Sequence, residues 1–126
     1  MKQTARILLA EDNDELREAV RRVAREHSFE IVQTSHGAEV LTLALDAKPD
    51  LIILDVAFSD LDGRDVLARL KADERTQAIP VLVWSGRHEA ESDRRIALEL
   101  GAEDYMEKVD AQTLLRKAQR ILLRFN

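Results

Sequence analysis

The chain has 126 residues, enough for one domain with a core of its own. It is 45% hydrophobic and 34% charged with a net charge of −5, which argues against a nucleic-acid-binding surface. There is no cysteine, which excludes disulfides and thiolate metal sites, and His27, His36 and His88 lie too far apart for zinc-ligand spacing.

The first apolar run is Arg6–Ala10 (RILLA). It reads as a strand and is too short for a signal peptide or a membrane span, so a reducing, cytoplasmic setting is expected. Leu16, Val20, Val23 and Ala24 then recur at helical spacing. Phe29–Gln33 (FEIVQ) reads as a second strand, followed by a helical stripe of Leu41, Ala44 and Leu45. Leu51–Leu54 (LIIL) is a third strand, and Val66, Leu67 and Leu70 mark the helix after it. Pro80–Trp84 (PVLVW) is the fourth. Ile96, Leu98 and Leu100 fit a helix less cleanly, but Gly101 is a good stop. Asp104–Glu107 (DYME) is a weaker fifth strand, before a final helix striped by Leu114, Leu115, Ala118, Ile121 and Leu122.

Five repeats of strand then helix follow from this pattern. Three of the strands are nearly all apolar, as strands buried on both faces of a parallel sheet must be. The expected fold is therefore an open, doubly wound α/β sheet with helices on both faces, spanning residues 1–126 as one domain. Such sheets bind ligands beyond the carboxyl ends of their strands. Glu11, Asp12 and Asn13 follow the first strand, Asp55 the third, Ser85 and Gly86 the fourth, and Lys108 the fifth.

Glu11, Asp12 and Asp55 would bring three carboxylates to one point, where joint ionisation needs a cation. Hard oxygen ligands suit magnesium. A hydroxyl on Ser85 and the positive charge of Lys108 complete a set suited to phosphoryl transfer, with a carboxylate able to act as nucleophile. Each residue also has a plainer reading. Asp12 with Glu15 is a capping pair, Asp55 a strand terminator, Ser85-Gly86 a loop start, Asp62-Gly63 a turn, Tyr105 a half-buried sheet residue, and Lys108 a solvated surface lysine.

Taken together and in order, Glu11-Asp12, Asp55 with Asp62-Gly63, Ser85-Gly86, Tyr105 and Lys108 resemble the receiver domain of two-component response regulators. The resemblance covers essentially the whole chain and implies a (βα)5, flavodoxin-like receiver fold. It implies that Asp55 accepts a phosphoryl group from a sensor histidine kinase or phosphotransfer protein. Asp12, Asp55 and the backbone carbonyl of Ala57 would hold Mg2+, and Glu11 would orient a metal-bound water. Ser85 and Tyr105 would move on phosphorylation, and Lys108 would pair with the phosphoryl group. The face built from the fourth helix, fifth strand and fifth helix would then bind a downstream protein effector. The resemblance implies no direct nucleic-acid or membrane contact and a monomer or a phosphorylation-dependent dimer. It implies no enzymatic activity beyond self-catalysed phosphotransfer and dephosphorylation.

The chain departs from the family at two prolines. Ser59 stands in the loop after Asp55, where loss of a rigid φ leads us to expect a looser loop. Val109 follows Lys108, so a trans bond is expected there, since a cis bond before a non-proline costs about 3–4 kcal/mol. Ala57 and Arg87, two residues past Asp55 and Ser85, are expected to tune phosphoryl lifetime. Trp84, the only tryptophan, is expected to pack in the core and to report on the site. A degenerate receiver that only binds proteins is the alternative. An aspartate-based phosphatase is disfavoured by Ala57, and a dinucleotide or flavin enzyme by the acidic turn where a phosphate-cradling loop would be needed.

Overall fold

The computed structural model describes residues 4–86 and 90–125. The strands are β1 (Ala5–Ala10), β2 (Phe29–Thr34), β3 (Leu51–Leu54), β4 (Val81–Ser85) and β5 (Asp104–Glu107). The helices are α1 (Asp14–Ala24), α2 (Val40–Ala47), α3 (Gly63–Ala72), α4 (Ala90–Glu99) and α5 (Ala111–Arg124). The sheet is five-stranded, ordered β2-β1-β3-β4-β5, and every pairing is parallel. Each expected strand is present, in the doubly wound arrangement that strand–helix alternation demands.

Strand composition follows position. In the central strands β3 and β4 every residue is buried, and both are apolar up to Ser85. The edge strands β2 and β5 carry polar residues because one flank of each is open. Side chains alternate between two cores. Leu8, Ile52, Leu54, Val83 and Tyr105 face a cluster with Ala44 of α2, Leu67 and Leu70 of α3, and Ala97 of α4. Ile7, Leu9, Ile53, Leu82 and Trp84 face the other, with Val20 of α1 and Leu114, Ala118 and Ile121 of α5.

Three local expectations are corrected. β4 starts at Val81 rather than Pro80 and includes Ser85. Pro80 has no N–H to donate, though its carbonyl accepts from Ile52 N–H at 3.0 Å. In α4, Leu98 is 41% exposed, and the buried residues among those described are Asp93 and Ala97, spaced i, i+4. The N-cap of α1 is Asn13, whose side chain accepts from Leu16 N–H, so Asp12 does not cap that helix. Gly101 does end α4, at φ +105°, where a side chain would be strained and would press on Lys71.

Candidate functional site

The key side chains are set by backbone that continues the sheet ladders past the strand ends. Glu11 N–H donates to Thr34 O at 3.1 Å, prolonging β1–β2. Asp55 N–H donates to Ala10 O at 3.0 Å, prolonging β3–β1. Lys108 N–H donates to Ser85 O at 2.8 Å, prolonging β5–β4. The Lys108–Val109 bond is trans, as expected, because the structure has no cis peptide among the described residues. The register Leu54↔Val83 sets Asp55 level with Trp84, one residue before Ser85.

Behind Asp55 the chain turns on a glycine. Gly63 N–H donates to Val56 O at 3.0 Å. A Cβ on Gly63 would lie 2.4 Å from Val56 Cα and 2.5 Å from Asp55 O. No side chain fits between α3 and the end of β3, so the Asp62-Gly63 pair is more than a turn signal. Asp62 also caps α3 by accepting from Arg64 N–H at 2.9 Å.

Carboxylate oxygens of Glu11, Asp12 and Asp55 all lie within 4.8 Å of one another. Glu11 is fully buried and Asp55 is 2% exposed. Lys108 Nζ sits between them, 2.6 Å from Glu11 Oε1 and 3.2 Å from Asp55 Oδ2. It also lies 5.4 Å from the centre of the Trp84 ring, over its face. Asp55 Oδ1 accepts from Ala57 N–H at 3.0 Å, and Glu11 Oε2 from Asn13 N–H at 3.0 Å.

Burial pushes the Glu11 carboxyl above its ordinary value, with Asp55 adding to the rise and Lys108 opposing it. For Lys108, burial pulls downward, but hydrogen bonding to Glu11 and the charge of Asp55 outweigh it, so its ammonium is held above the ordinary value. The site thus keeps its lysine charged and strains against its own negative charge.

The donor set fits a hard divalent cation. Asp12 is half-exposed, and no hydrogen bond or ion pair engages its carboxylate among the described residues. One unengaged carboxylate beside Asp55 and a buried acid pushed toward protonation is an arrangement that a cation relieves.

Ser85 is buried at the end of β4. Tyr105 is buried in the cluster facing α2, α3 and α4, opposite Val83 in register. Ala57 is exposed beside Asp55. Arg87 lies outside the described residues. Two features escaped the sequence reading. Asp60 accepts from Gly37 N–H at 3.0 Å and Ala38 N–H at 3.2 Å, tying the β3–α3 loop to the turn before α2. Trp84 is a platform for Lys108 as well as a core residue. The first joins residues 23 apart and leaves no local signal. The second could be read from two residues that end neighbouring strands.

A cavity of about 530 Å³ lies at the opposite, amino end of the sheet, lined by Lys48, Pro49 and Ile79 among others, with no carboxylate. The chemistry is not there. No described helix is long and apolar enough to cross a membrane.

Comparison with known proteins agrees with the site. The chain is similar to the protein PilH of Pseudomonas aeruginosa, 29% identical over 119 residues covering 94% of this chain and 98% of PilH. It is similar to the response regulator MprA of a Mycobacterium species, 34% identical over 119 residues, but there 94% of this chain spans only 50% of the relative. The solved Mn2+-bound form of the response regulator Rcp1 superposes with a TM-score of 0.78 at 28% identity, covering 93% of this chain and 91% of that one. The family described as "Response regulator receiver domain" matches residues 7–120. That span runs from within β1 through β5 and into α5, with every carboxylate and cation of the site, and the chain belongs to this family of phosphoacceptors, the receiver domains of two-component signalling.

Proposed function

We propose that the chain is a phosphorylation-dependent signalling switch in which Asp55 takes a phosphoryl group from the phosphohistidine of a sensor kinase or phosphotransfer protein. A carboxylate oxygen of Asp55 forms the new O–P bond, the N–P bond breaks, and the imidazole leaves to be reprotonated. The observation that carries this reading is the packing of Asp55 against Glu11, Asp12 and Lys108 at the carboxyl edge of the sheet. Asp12, Asp55 and the Ala57 carbonyl would hold Mg2+, with Glu11 acting through a water. Bound there, the metal neutralises charge that develops on the phosphoryl oxygens.

Lys108 leaves Asp55 Oδ2 for the phosphoryl group, and Ser85 supplies a hydroxyl from the end of β4. Tyr105 belongs both to the inner cluster and to the lining of a groove between α4 and α5. Standing beside Val83 of β4, it joins the inner cluster to the outer face, where the effector would dock, and phosphorylation would shift the population between two arrangements of that face. Ala57 and Arg87 set the phosphoryl lifetime by admitting or covering the attacking water.

The test is incubation with a small phosphodonor and Mg2+, read by intact mass. One phosphoryl group is expected on the wild type and none on Asp55→Asn or after chelation. An unmodified wild type would establish the alternative, a protein-binding module without phosphate. Loss of Mg2+ response in Asp12→Asn with Asp55 intact checks the metal assignment.

A further inference from the structure

The three residues of β4 before Trp84 are aliphatic, and the indole sits among them 1% exposed, in the cluster shared by α1 and α5. Its Nε1–H is buried and meets no acceptor among the described residues. A buried donor without an acceptor is unfavourable, and a leucine would fill such a position without one. The indole therefore contributes something besides apolar volume.

That contribution lies on its face. The register pairs Trp84 with Met106 and Ser85 with Glu107, and Lys108 N–H continues the ladder to Ser85 O. Lys108 comes two residues after Met106, so its side chain leaves on the same face of the sheet as Met106 and Trp84. Gly86 leaves the way open, since a Cβ there would already lie 3.6 Å from Lys108 Cδ. The lysine stem passes Gly86 and carries its ammonium over the indole, 5.4 Å from the ring centre. The same ammonium is 2.6 Å from Glu11 Oε1 and 3.2 Å from Asp55 Oδ2. Two carboxylates and one ring face thus surround a group with three N–H bonds. Val109, which follows the lysine, fixes no φ, so the backbone adds little to this hold.

We propose that Trp84 is a positioning residue for phosphotransfer at Asp55, its ring holding the Lys108 ammonium against the two carboxylates. This rests on the switch reading above and adds to it a residue that acts only through the lysine. Two consequences carry opposite signs. A firmly held ammonium stands at Asp55 Oδ2 as charge develops on the phosphoryl oxygens, which speeds transfer. The same hold makes Mg2+ displace a better-seated cation, which weakens metal binding. Damage to the fold would weaken both.

Trp84 is the only tryptophan, so growth on fluorinated tryptophans alters this position alone. Fluorine drains the negative face of the ring and nearly preserves its shape, so the full chain keeps its packing. Along the mono-, di- and trifluoro series, Mg2+ binding by calorimetry is expected to tighten stepwise, reaching roughly tenfold, the scale of a desolvated cation–π contact. Phosphoryl uptake from a small phosphodonor, timed by intact mass, should slow by a similar factor. The loss falls on the maximal rate and leaves the half-saturating donor concentration unchanged, because the buried ring does not meet the donor. In Lys108→Met both series should be flat. Trp84→Phe, which keeps a weaker ring face, should bind Mg2+ with an affinity between those of the wild type and Trp84→Leu. Flat Mg2+ affinities with Lys108 present, slopes that persist in Lys108→Met, or stepped affinities with an unchanged rate of uptake overturn the inference. Uptake by the wild type with a flat Mg2+ series defeats the ring-held lysine alone. A wild type that takes up no phosphoryl group defeats the switch reading, while a stepped Mg2+ series still establishes the hold of Trp84 on Lys108.

Discussion

The loops after β3 and after β5 each lack a proline, and they are held in different ways. Between Asp55 and Asp62, Phe58 and Leu61 pack on the inner cluster, and the Asp60 carboxylate grips Gly37 and Ala38 across a neighbouring crossover. Ser59 was expected to loosen this loop, and these through-space contacts act against that. After β5 the holding is local. Lys108 N–H stays in the ladder to Ser85, and Asp110 caps α5 by accepting from Thr113 N–H at 2.8 Å. The first loop depends on a carboxylate that reaches across to another crossover, the second on backbone pairing and a carboxylate that caps its own helix. Hydrogen bonds hold both loops, and both include a carboxylate kept below its ordinary value by backbone N–H donors, Asp60 across a crossover and Asp110 within its own helix cap.

The largest expected effect lies in the first loop. Gly63→Ala would force a methyl against the backbone of Val56 and Asp55, which cannot rotate away. A stability loss of about 3 kcal/mol, the upper part of the overpacking range, is expected in urea unfolding. Phosphoryl uptake should fall with it, because Asp55 is displaced. A variant as stable as the wild type would mean that the end of β3 yields more easily than its packing implies.

Next comes the second loop. Lys108→Met removes the ammonium shared by Glu11 and Asp55 and leaves two buried carboxylates facing each other. About 1–3 kcal/mol should be lost at neutral pH. Mg2+ should recover more stability in the variant than in the wild type, since the metal no longer competes with an ammonium. Thermal unfolding with and without Mg2+ checks both signs, and equal Mg2+ responses would show that the lysine and the metal do not share these carboxylates.

What could be read from the sequence divides along the same line. The apolar runs of β1, β3 and β4 leave few alternatives, because strands covered on both faces must be apolar, and Asp55 and Lys108 then fall at strand ends. Asp62-Gly63 was legible as a turn. Its steric reason was not, since a Cβ clash with Val56 needs α3 laid against the end of β3. Asp12 with Glu15 imitated a helix cap until Asn13 was found in that place. Asp60 was illegible because its partners lie on another crossover. In α4 the pattern misled, because Asp93 and Ala97 take the buried positions while Leu98 turns outward.

The Asp60 clip should give a smaller, pH-dependent effect. Burial alone would raise its carboxyl, but the Ala38 and Gly37 N–H bonds outweigh that and hold it below the ordinary value. Its folded pKa is therefore lower than its unfolded one. The stabilisation is present above the unfolded value and is lost as pH falls through the folded one. In Asp60→Asn, amide exchange at Gly37 and Ala38 should quicken near neutral pH, and the difference from wild type should shrink on acidification. A difference that persisted below the carboxylate range would show that the loop is held by Phe58 and Leu61 rather than by the charge.

The smallest expected effect is optical and sits where the two loops meet. Trp84 is the chain's only tryptophan, is 1% exposed, and has Lys108 Nζ over its ring at 5.4 Å. A cation over an indole face alters the emitting state, so anything that draws the ammonium away changes the signal. Mg2+ competes with Lys108 for Asp55 and should shift the emission. A small phosphodonor should shift it further, as Lys108 follows the new phosphoryl oxygens. In Lys108→Met the Mg2+ step should shrink sharply while the indole stays buried. If it kept its full size, Trp84 would be reporting on repacking around α5, and the lysine at the end of the second loop would have no part in the signal.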